Sequence, residues 1–405
     1  MTLRWLSIPL LALAAWSCTH QRNTQAPRPV AGTAQPGAPG AAANLPPVVE
    51  TPSPFEGVQF FLNPDYVAKV EAAAKADKAN AALIKKVAAF PTAVWLDSIA
   101  SVAQVSKVLD AADKQQGSDA KPILVTFVVY DLPNRDCSAK ASAGELDVDK
   151  GGEAKYKAEF IDKIAAQFAA HPKLRIVAIV EPDSLPNLAT NMTVPKCAAS
   201  DKVYRSATAY AVSKLNMPQV SIYLDAAHAG WLGWEGNRQR IAKIYRDVLT
   251  EAGGVDKIRG FATNVSNYNT VSGADGKKLG PANPCPDEGT YIQKLTDALK
   301  AEGIVGKKFV IDTARNGKVV RATWGNWCNI KGAGVGPRPQ ASPMPLVDAY
   351  AWIKPPGESD GTSDTKAARF DAGCTSADSM TGAPEAGQWF GAHFLEMAKN
   401  ADPAL

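Results

Sequence analysis

The stretch RIVAIVEPDSLPNL, residues 175–188, decides the fold class of this chain of 405 residues. It begins as a nearly continuous apolar run, which is typical of a strand covered on both faces, as in a parallel sheet. The run stops at Glu181, and a second carboxylate, Asp183, follows after one proline. A buried strand has no structural need for that ending, so the two acids indicate a function.

Seven short runs of this kind occur along the chain, and each predicts a strand. They cover residues 93–96, 123–130, 175–180, 220–224, 258–262, 309–311 and 349–353. Segments with helical periodicity lie between most of them, at residues 66–90, 153–170, 203–215, 238–252 and 289–302. Alternating strands and helices predict parallel strands with crossover helices. We therefore expect an α/β fold, a distorted seven-stranded βα barrel that is similar to a TIM barrel.

Polar side chains follow every predicted strand. They are Asp97, Asp131, Glu181 with Asp183, Asp225, Asn264, Asp312, and Lys354 with Glu358 and Asp360. Any one of them could cap the following helix. Because the carboxyl ends of barrel strands meet at one face, the series as a whole predicts an active site there.

Composition narrows the class of partner. The chain is 46% hydrophobic and 21% charged, which is ordinary for a globular protein. Its net charge of +4 is balanced, and it has no basic stripe, so neither nucleic acid nor an acidic membrane surface is indicated as a partner. We expect a neutral substrate and a monomeric protein.

The N-terminus has the pattern of an export signal over residues 1–17. Arg4 is its short basic region, residues 6–15 are apolar, and small residues precede Cys18. Two routes remain open: ordinary cleavage after Ser17, or lipoprotein cleavage that leaves a lipid on Cys18 and anchors the protein to a membrane. Both predict export, to the extracellular space or to the cell surface.

Residues 18–54 are rich in Pro, Ala, Gly, Thr and Gln, which predicts a disordered tether. No second shift in composition follows, so residues 55–405 are expected to form one domain. Six cysteines in an exported chain favour disulfides. If Cys18 belongs to the leader, five remain and one is unpaired.

Tryptophans and acids near the strand ends indicate a carbohydrate site. Trp231 and Trp234 flank Gly233, close in sequence to Asp225 and His228. Exposed aromatic faces pack against the C–H groups of sugar rings, while carboxylates and amides bind the hydroxyls; burial of both tryptophans is the alternative. Hydrolysis of a glycosidic bond needs one protonated carboxyl and usually a second carboxylate, and this chain has acids in surplus.

Other chemistries lack their motifs. The four histidines form neither a helical pair nor a Cys/His cluster, so no metal site is expected, although a hard-cation oxygen site remains open. The chain contains neither the Gly-x-Ser-x-Gly of esterases nor a glycine-rich phosphate loop.

Seven motifs resemble, in order, those of glycoside hydrolase family 6. They are VVYDLPNRDCSAKASAGE (128–145), EPDSLPNLATN (181–191), YLDAAHAGWLGW (223–234), GFATNVSNYN (260–269), RNGK (315–318), WGNWCN (324–329) and WIKPPGESDGTSD (352–364). The resemblance covers about residues 55–405. It implies a distorted βα barrel that cleaves β-1,4-glucan, cellulose above all, with inversion at the anomeric carbon and without a metal or an organic cofactor.

The resemblance also implies catalytic roles. Asp183 matches the family's proton donor, and Asp136 matches the acid that keeps the donor protonated. Tyr130 matches the tyrosine that favours a distorted sugar ring, and Ser142 matches the loop serine associated with the attacking water. Asp360 matches the acid proposed as general base, which acts through water.

Further positions match sugar-contacting or charge-balancing residues of the family. They are Trp95, Asp97, Asp225, His228, Trp231, Trp234, Asn267, Trp327, Lys354 and Glu358. Glu181 and Arg135 are expected to hold the constellation by ion pairing.

The family's two disulfides match Cys137 with Cys197 and Cys328 with Cys374. Cys285, in the insertion-like stretch GADGKKLGPANPCPDEG (273–289), is then either a free thiol or a partner of Cys18.

The mode of cleavage depends on loops that roof the groove. Here Asp360-Gly361 is followed by TSDTKAARFDAG (362–373) before Cys374, and this retained loop favours a tunnel. We therefore expect a cellobiohydrolase that releases cellobiose from non-reducing ends. The alternatives are an endoglucanase of the same family and a surface lipoprotein that binds β-glucan without cutting it. Two residues depart from the family pattern. Asn134 stands where the family commonly has an acid, and Ser359 stands where some relatives have a cysteine.

Overall fold

A computed structural model describes residues 51–273, 279–318 and 320–405. The predicted signal peptide, Cys18 and most of the predicted tether lie outside the described residues. At the start of the described part, Ser53, Pro54 and Phe55 are already buried. Packing therefore begins two residues before the predicted domain boundary at Phe55.

Nine strands form one sheet within the described residues. They are β1 Gln59–Phe60, β2 Val94–Leu96, β3 Ile123–Val129, β4 Arg175–Val180, β5 Val220–Asp225, β6 Gly260–Thr263, β7 Lys308–Asp312, β8 Gln340–Met344 and β9 Val347–Ala351. Their order is β1-β3-β4-β5-β6-β7-β9-β8, and β2 also pairs with β3. All pairs are parallel except β8 with β9.

Eleven α-helices connect the strands in the same described ranges. They are α1 Pro64–Ala76, α2 Ala81–Val87, α3 Ala103–Gln116, α4 Gly152–Lys155, α5 Asp162–Ala170, α6 Ser184–Thr190, α7 Pro195–Leu215, α8 Ala229–Leu232, α9 Glu235–Glu251, α10 Glu288–Ala301 and α11 Gly391–Lys399. A π-helical turn, Tyr156–Ile161, joins α4 to α5.

The parallel strands curl into a distorted barrel, which confirms the predicted fold class. Continuous ladders lead from β2 through β7 to β9. On the remaining side, a backbone hydrogen bond from Ala93 N to Trp352 O (3.0 Å) links the beginning of β2 to the residue after β9. This looser side is the seam of the barrel.

Both faces of the sheet are buried. Alternate residues such as Val128, Ile179 and Val310 form an inner cluster, and a larger outer cluster packs between sheet and helices. Phe55 joins the inner cluster and packs against Tyr223, with ring centroids 6.4 Å apart. Burial on both faces explains why the strands have continuous rather than alternating apolar sequences.

Among the described residues, we find no helix that is both long enough and apolar enough to span a bilayer.

Candidate active site

Asp183 lies in the turn between β4 and α6 and is half-buried. Its backbone is left-handed, with φ of 66°, a conformation that few residues other than glycine adopt. The backbone N–H of Asp183 donates to Oδ2 of Asp225 (2.9 Å), which stands at the end of β5 and also accepts from Ala227 N (3.0 Å). The turn therefore brings two carboxyl groups from neighbouring strands together.

These surroundings keep Asp183 protonated. Burial, then the carboxylate of Asp225, then that of Asp136 raise the pKa of Asp183 well above its ordinary value. Burial also raises the pKa of Asp225, to about 7, but its two backbone donors oppose the rise. Within this interacting pair, the proton resides on Asp183. Asp136 contributes in the predicted direction, but Asp225 contributes more than Asp136 does.

Asp136 lies in the loop after β3, close in space to Ser142 of the same loop. Its Oδ2 accepts a hydrogen bond from Ser142 N (2.8 Å), and burial raises its pKa. The carbonyl of Ser142 accepts from Arg135 Nε (2.8 Å). The loop is thus folded around the acid and the serine that the sequence singled out.

Arg135 orders the residues around Tyr130. Its guanidinium donates to the carbonyls of Tyr130 and Asp97, lies 4.4 Å from the centre of the Tyr130 ring, and pairs with the buried Asp131 at 3.5 Å. Burial, then Asp136 and Asp183, raise the pKa of Tyr130, so its hydroxyl stays neutral. Arg135 therefore forms an ion pair as expected, with Asp131.

Glu181 is buried at the end of β4. It holds the loop after β3 by accepting hydrogen bonds from Tyr156 Oη (2.8 Å), Asp131 N (3.2 Å) and Leu132 N (3.3 Å). Burial raises its pKa to about 7. Its hydrogen bonds to backbone amides position this loop, and the nearby charge of Arg135 favours its ionised form.

Asp360 lies among positively charged side chains, whereas Asp183 lies among acids. Its Oδ1 pairs with Arg315 Nη1 (2.7 Å), and its Oδ2 accepts from Tyr268 Oη (2.7 Å) and Asn329 N (2.9 Å). Burial opposes ionisation, but Arg315 and Lys354 outweigh it and hold the pKa of Asp360 below its ordinary value. Asp360 is therefore a fixed, ionised carboxylate.

Trp95 and Lys354 lie together at the ends of β2 and β9. The indole N–H of Trp95 donates to the carbonyl of Ile353 (2.8 Å), and its ring packs edge-on against Tyr130 at 5.6 Å. Lys354 Nζ lies 5.0 Å from the centre of the Trp95 ring. Asp97, just after β2, is exposed. The tryptophan ring thus lies between the barrel rim and a buried cation.

Glu358 has a partner that the sequence did not indicate. Lys69 of α1 reaches its Oε1 at 3.0 Å and ties the first helix to the rim of the site.

His228 and Asn267 form a second group, beyond β5 and β6. His228 Nε2 lies 3.0 Å from Asn267 Nδ2, and its ring packs near Trp231 at 6.1 Å. Burial, then the charge of Arg321, lowers the pKa of His228 to about 3, so the imidazole is neutral. The half-buried Trp231 donates from its indole N–H to Thr190 Oγ1 (2.8 Å), which fixes its ring.

The other two predicted tryptophans, Trp234 and Trp327, are also half-buried. Trp327 packs against Ala141 and the Cys328–Cys374 pair, and Trp234 donates to the carbonyl of Pro281 (3.0 Å).

Several residues that hold this site were present in the quoted motifs without an assigned role. Arg315 begins RNGK, Asn329 ends WGNWCN, and Tyr268 belongs to GFATNVSNYN. All three contact Asp360, and only their three-dimensional arrangement reveals that function.

Both predicted disulfides, Cys137–Cys197 and Cys328–Cys374, are present. Cys285 is a buried free thiol, 3.2 Å from the carbonyl oxygen of Gly233. Its alternative partner, Cys18, lies outside the described residues.

Two loops meet near Asp136. Lys140 N donates to Asp371 Oδ2 (3.0 Å), and a β carbon at Gly361 would lie 2.8 Å from Ala141 Cβ. These contacts join the loop that carries Asp136 to the loop that follows Asp360.

One group of side chains elsewhere has the spacing of metal ligands. It comprises the exposed Asp110 and Asp113 of α3 with His171, whose Nδ1 lies 2.7 Å from Asp113 Oδ2. Asp113 and His171 are an ordinary surface hydrogen-bonded pair.

A neutral carboxyl and an ionised one, set among tryptophans at the carboxyl ends of barrel strands, define the class of glycoside hydrolases. The sequence profile described as "Glycosyl hydrolases family 6" matches residues 55–401. The chain belongs to this family.

Relatives at similar distance carry three different names. A 1,4-beta-D-glucan cellobiohydrolase C of Emericella nidulans is 42% identical over 362 residues, covering 87% of this chain and 79% of the relative. Exoglucanase 3 of Agaricus bisporus is 43% identical over 87% and 80% of the two chains. A putative endoglucanase type B of Fusarium oxysporum is 42% identical over 87% and 77%.

Among solved structures, cellobiohydrolase II (Cel6A) of Humicola insolens, in complex with glucose and cellotetraose, is 41% identical to this chain. The match has a TM-score of 0.84 and covers 87% of this chain and 100% of that one.

Proposed function

We propose that this enzyme hydrolyses β-1,4-glucosidic bonds of cellulose and cello-oligosaccharides with inversion, using Asp183 as general acid. The observation that carries the proposal is the half-buried Asp183, whose backbone N–H binds the carboxylate of Asp225 (2.9 Å). Burial and the two neighbouring acids raise its pKa, which favours the protonated form that a general acid needs. Similarity to proteins named for cellobiohydrolase activity, and to a structure that holds cellotetraose, supports this substrate.

In this mechanism, Asp183 gives its proton to the glycosidic oxygen as the bond to the anomeric carbon breaks. A water molecule attacks the opposite face of that carbon, which inverts its configuration. The proton released by the water passes through further water to an ionised carboxylate, for which Asp360 is the candidate. Both oxygens of Asp360 already accept hydrogen bonds from the protein. A proton relayed through further water therefore suits Asp360 better than direct contact with the attacking water.

The loop after β3 supports the same step. Asp136 adds negative charge near Asp183 and helps to keep its pKa high. Ser142, whose N–H is bound to Asp136, is positioned to hold the attacking water, and the neutral Tyr130 crowds the sugar ring at the point of cleavage.

The remaining predicted residues bind the glucan chain. Trp95, Trp231, Trp234 and Trp327 supply apolar faces, and Asp97, Asp225, His228, Asn267, Lys354 and Glu358 supply polar contacts. The four tryptophans are half-buried, as platforms on a rigid frame need to be.

We further propose that the enzyme releases cellobiose from non-reducing chain ends. The contacts of Lys140 with Asp371 and of Gly361 with Ala141 support a roofed tunnel, which favours chain ends over internal bonds. Endo-acting cleavage is the second candidate, because one relative is named a putative endoglucanase.

Incubation with cellohexaose tests both the inverting hydrolysis and the release of cellobiose from chain ends. We expect cellobiose as the main product with α-anomers at the fresh ends, read by chromatography and NMR within seconds of cleavage. Asp183→Ala should abolish turnover and leave cellohexaose binding within a few-fold of the parent. Retained turnover would exclude Asp183 as the acid, β-anomers would exclude inversion, and a mixture dominated by cellotriose would favour the endo mode.

The same variant distinguishes an enzyme from a protein that only binds β-glucan. A pure binder has no need for a carboxyl held neutral by two acidic neighbours, so Asp183 and Asp136 favour the enzyme. If the parent protein bound cellohexaose but never cleaved it, the binding role would replace the catalytic one.

Export is proposed from the basic and apolar N-terminal pattern together with the two disulfides. Whether the mature protein is secreted freely or carries a lipid on Cys18 is tested by metabolic labelling with a fatty acid, with Cys18→Ala as control. A monomer remains our prediction, and light scattering tests it.

A further inference from the structure

Trp324 is an exposed aromatic side chain that the predicted site did not include. It leaves 41% of its surface open to solvent. Its ring packs against Trp234 at 5.7 Å with an interplanar angle of 60°. Both rings meet at Gly280, where a β carbon would lie 2.7 Å from Trp234 and 3.2 Å from Trp324. The close approach of the two rings therefore depends on a glycine at this position.

The stretch that contains Cys285 supports this pair of rings. Pro281 accepts the indole N–H of Trp234 (3.0 Å), and Asn283 Nδ2 donates to the carbonyl of Ala229 (2.8 Å). The Cys285 thiol donates to the carbonyl of Gly233, next to Trp234 (3.2 Å). Residues 279–285, to which the sequence gave no function, thus fix the ring of Trp234.

The loop that carries Trp324 is held in place on its other side. Asp378 accepts hydrogen bonds from Ala322 N (3.0 Å), Thr323 N (3.0 Å) and Asn326 Nδ2 (2.7 Å). Three donors around a single carboxylate argue that the loop holds a defined shape even though its tryptophan is exposed.

The same loop is continuous with the sugar-binding residues. The buried guanidinium of Arg321 donates to Asn267 Oδ1 (3.1 Å) and to Asn269. Both asparagines contact the ring nitrogens of His228. Trp324 is therefore attached, through Arg321, to the predicted polar wall of the site.

We propose that Trp324 is a further substrate-binding residue, which forms with Trp234 an outer platform for glucosyl units remote from the bond cleaved at Asp183. The occupant is a β-1,4-glucan chain, because the platform continues the tryptophan-lined site and an aromatic face suits the C–H surface of a glucose ring. This inference rests on the proposed function.

Such a platform serves long substrates only. In this proposal, a chain that extends beyond Trp234 gains the contact with Trp324, and a cellotriose bound around Asp183 does not. An aromatic contact of this kind contributes about threefold to tenfold in affinity.

The test measures binding in the inactive Asp183→Ala protein by titration calorimetry with cellohexaose and with cellotriose. Adding Trp324→Ala should weaken cellohexaose binding about threefold to tenfold and leave cellotriose binding unchanged. Trp324→Phe should restore most of the loss. Met192→Ala, which removes a side chain of the same 41% exposure, should change neither affinity.

The outcomes separate this inference from the proposed function. If Asp183→Ala binds cellohexaose and Trp324→Ala leaves that affinity unchanged, or weakens both ligands equally, the outer platform is excluded while the function stands. If the Asp183→Ala protein binds neither oligosaccharide, the proposed function fails, and the platform fails with it.

Discussion

The half-buried Asp183 and the buried Asp360 show how two carboxyls acquire opposite protonation states. Asp183 is surrounded by the acids Asp225 and Asp136, so its neutral form is favoured. Asp360 lies against Arg315 and near Lys354, so its charged form is favoured. A difference of this kind assigns the proton donor to one residue and the charged role to the other.

Asp225→Asn should move the alkaline limb of the kcat/KM profile to lower pH. Loss of the neighbouring negative charge stabilises ionised Asp183 and lowers its pKa, so the donor loses its proton at lower pH. The asparagine oxygen can still accept the N–H of Asp183, which preserves the turn. Asp136→Asn is the matched variant and should give a smaller shift in the same direction. A larger shift for Asp136→Asn would reverse the ranking of the two neighbours.

Asp360→Asn should lower the free energy of unfolding by about 3–5 kcal/mol at neutral pH, because it leaves the Arg315 guanidinium buried without its counter-charge. The folded-state pKa of Asp360 is depressed, so its contribution is present above the unfolded value of about 3.9 and is lost as pH falls through the lower folded value. Denaturant unfolding between pH 3 and 7 should therefore show the gap between parent and variant narrowing below about pH 4. The exposed Asp119→Asn serves as control, and a gap that does not depend on pH would contradict the ionised state of Asp360.

The sequence could identify these acids but could not rank their neighbours. Asp183, Asp136 and Asp225 lie in separate motifs, and a motif does not state which carboxyl is nearer to which. The contacts of Arg315 and Tyr268 with Asp360 depend on loops that meet only in the folded chain. What could be predicted was the residue set. Asp183 and Asp225 follow strands whose apolar runs are visible in the sequence, and the roles of Asp136 and Asp360 were implied by the resemblance of their motifs to family 6.

At the scale of elements, long apolar runs were predictable and short or partly polar elements were not. All seven predicted strands are present within two residues at each end. β1 has only two residues, and β8 is half-exposed and contains a proline, so neither carries a strand signal. The helix predicted over residues 66–90 is divided into α1 and α2, because the Asp77 carboxylate bonds to Asn80 and favours a turn between them.

The Cys328–Cys374 disulfide should stabilise the folded protein and also keep cleavage at chain ends. It closes a sequence separation of 46 residues, so its replacement by two serines should cost about 4 kcal/mol of unfolding free energy. Freed from this link, the loop at residues 361–374 should open the roof and allow internal cleavage. We expect a larger fall in the viscosity of a soluble cellulose derivative per reducing end released.

Cys285→Ser is the control for that double variant, because it leaves both disulfides in place. The double variant should therefore differ from it in both unfolding free energy and viscosity ratio. Reduced stability with an unchanged viscosity ratio would show that the disulfide stabilises the fold without controlling the roof.

At the scale of the whole molecule, the barrel has a reactive end and a closed end. The strands carry their acids at the carboxyl ends, whereas residues 51–55 cover the opposite end. Ser53 Oγ donates to the carbonyl of Asp348 (2.9 Å), and Arg259, which pairs with Asp348 (2.7 Å), also contacts Thr51. The inner core beneath the reactive end is thus completed from the other side.

Truncation should separate stability from chemistry at these two ends. A chain that starts at Thr51 keeps Phe55 in the inner core, whereas one that starts at Gly57 loses it together with the contact of Ser53. Removal of a buried phenylalanine costs about 3–5 kcal/mol, so the shorter chain should melt at a clearly lower temperature. Because Asp183 lies at the far end of the strands, kcat/KM on cellohexaose at 20 °C should stay within about twofold of the longer chain. This is well below the loss expected when a positioned catalytic group is misplaced.

Phe55→Ala in the longer chain is the control and should reproduce most of the loss of stability. Equal melting temperatures for the two truncations would instead place the boundary of the domain at Gly57 or beyond.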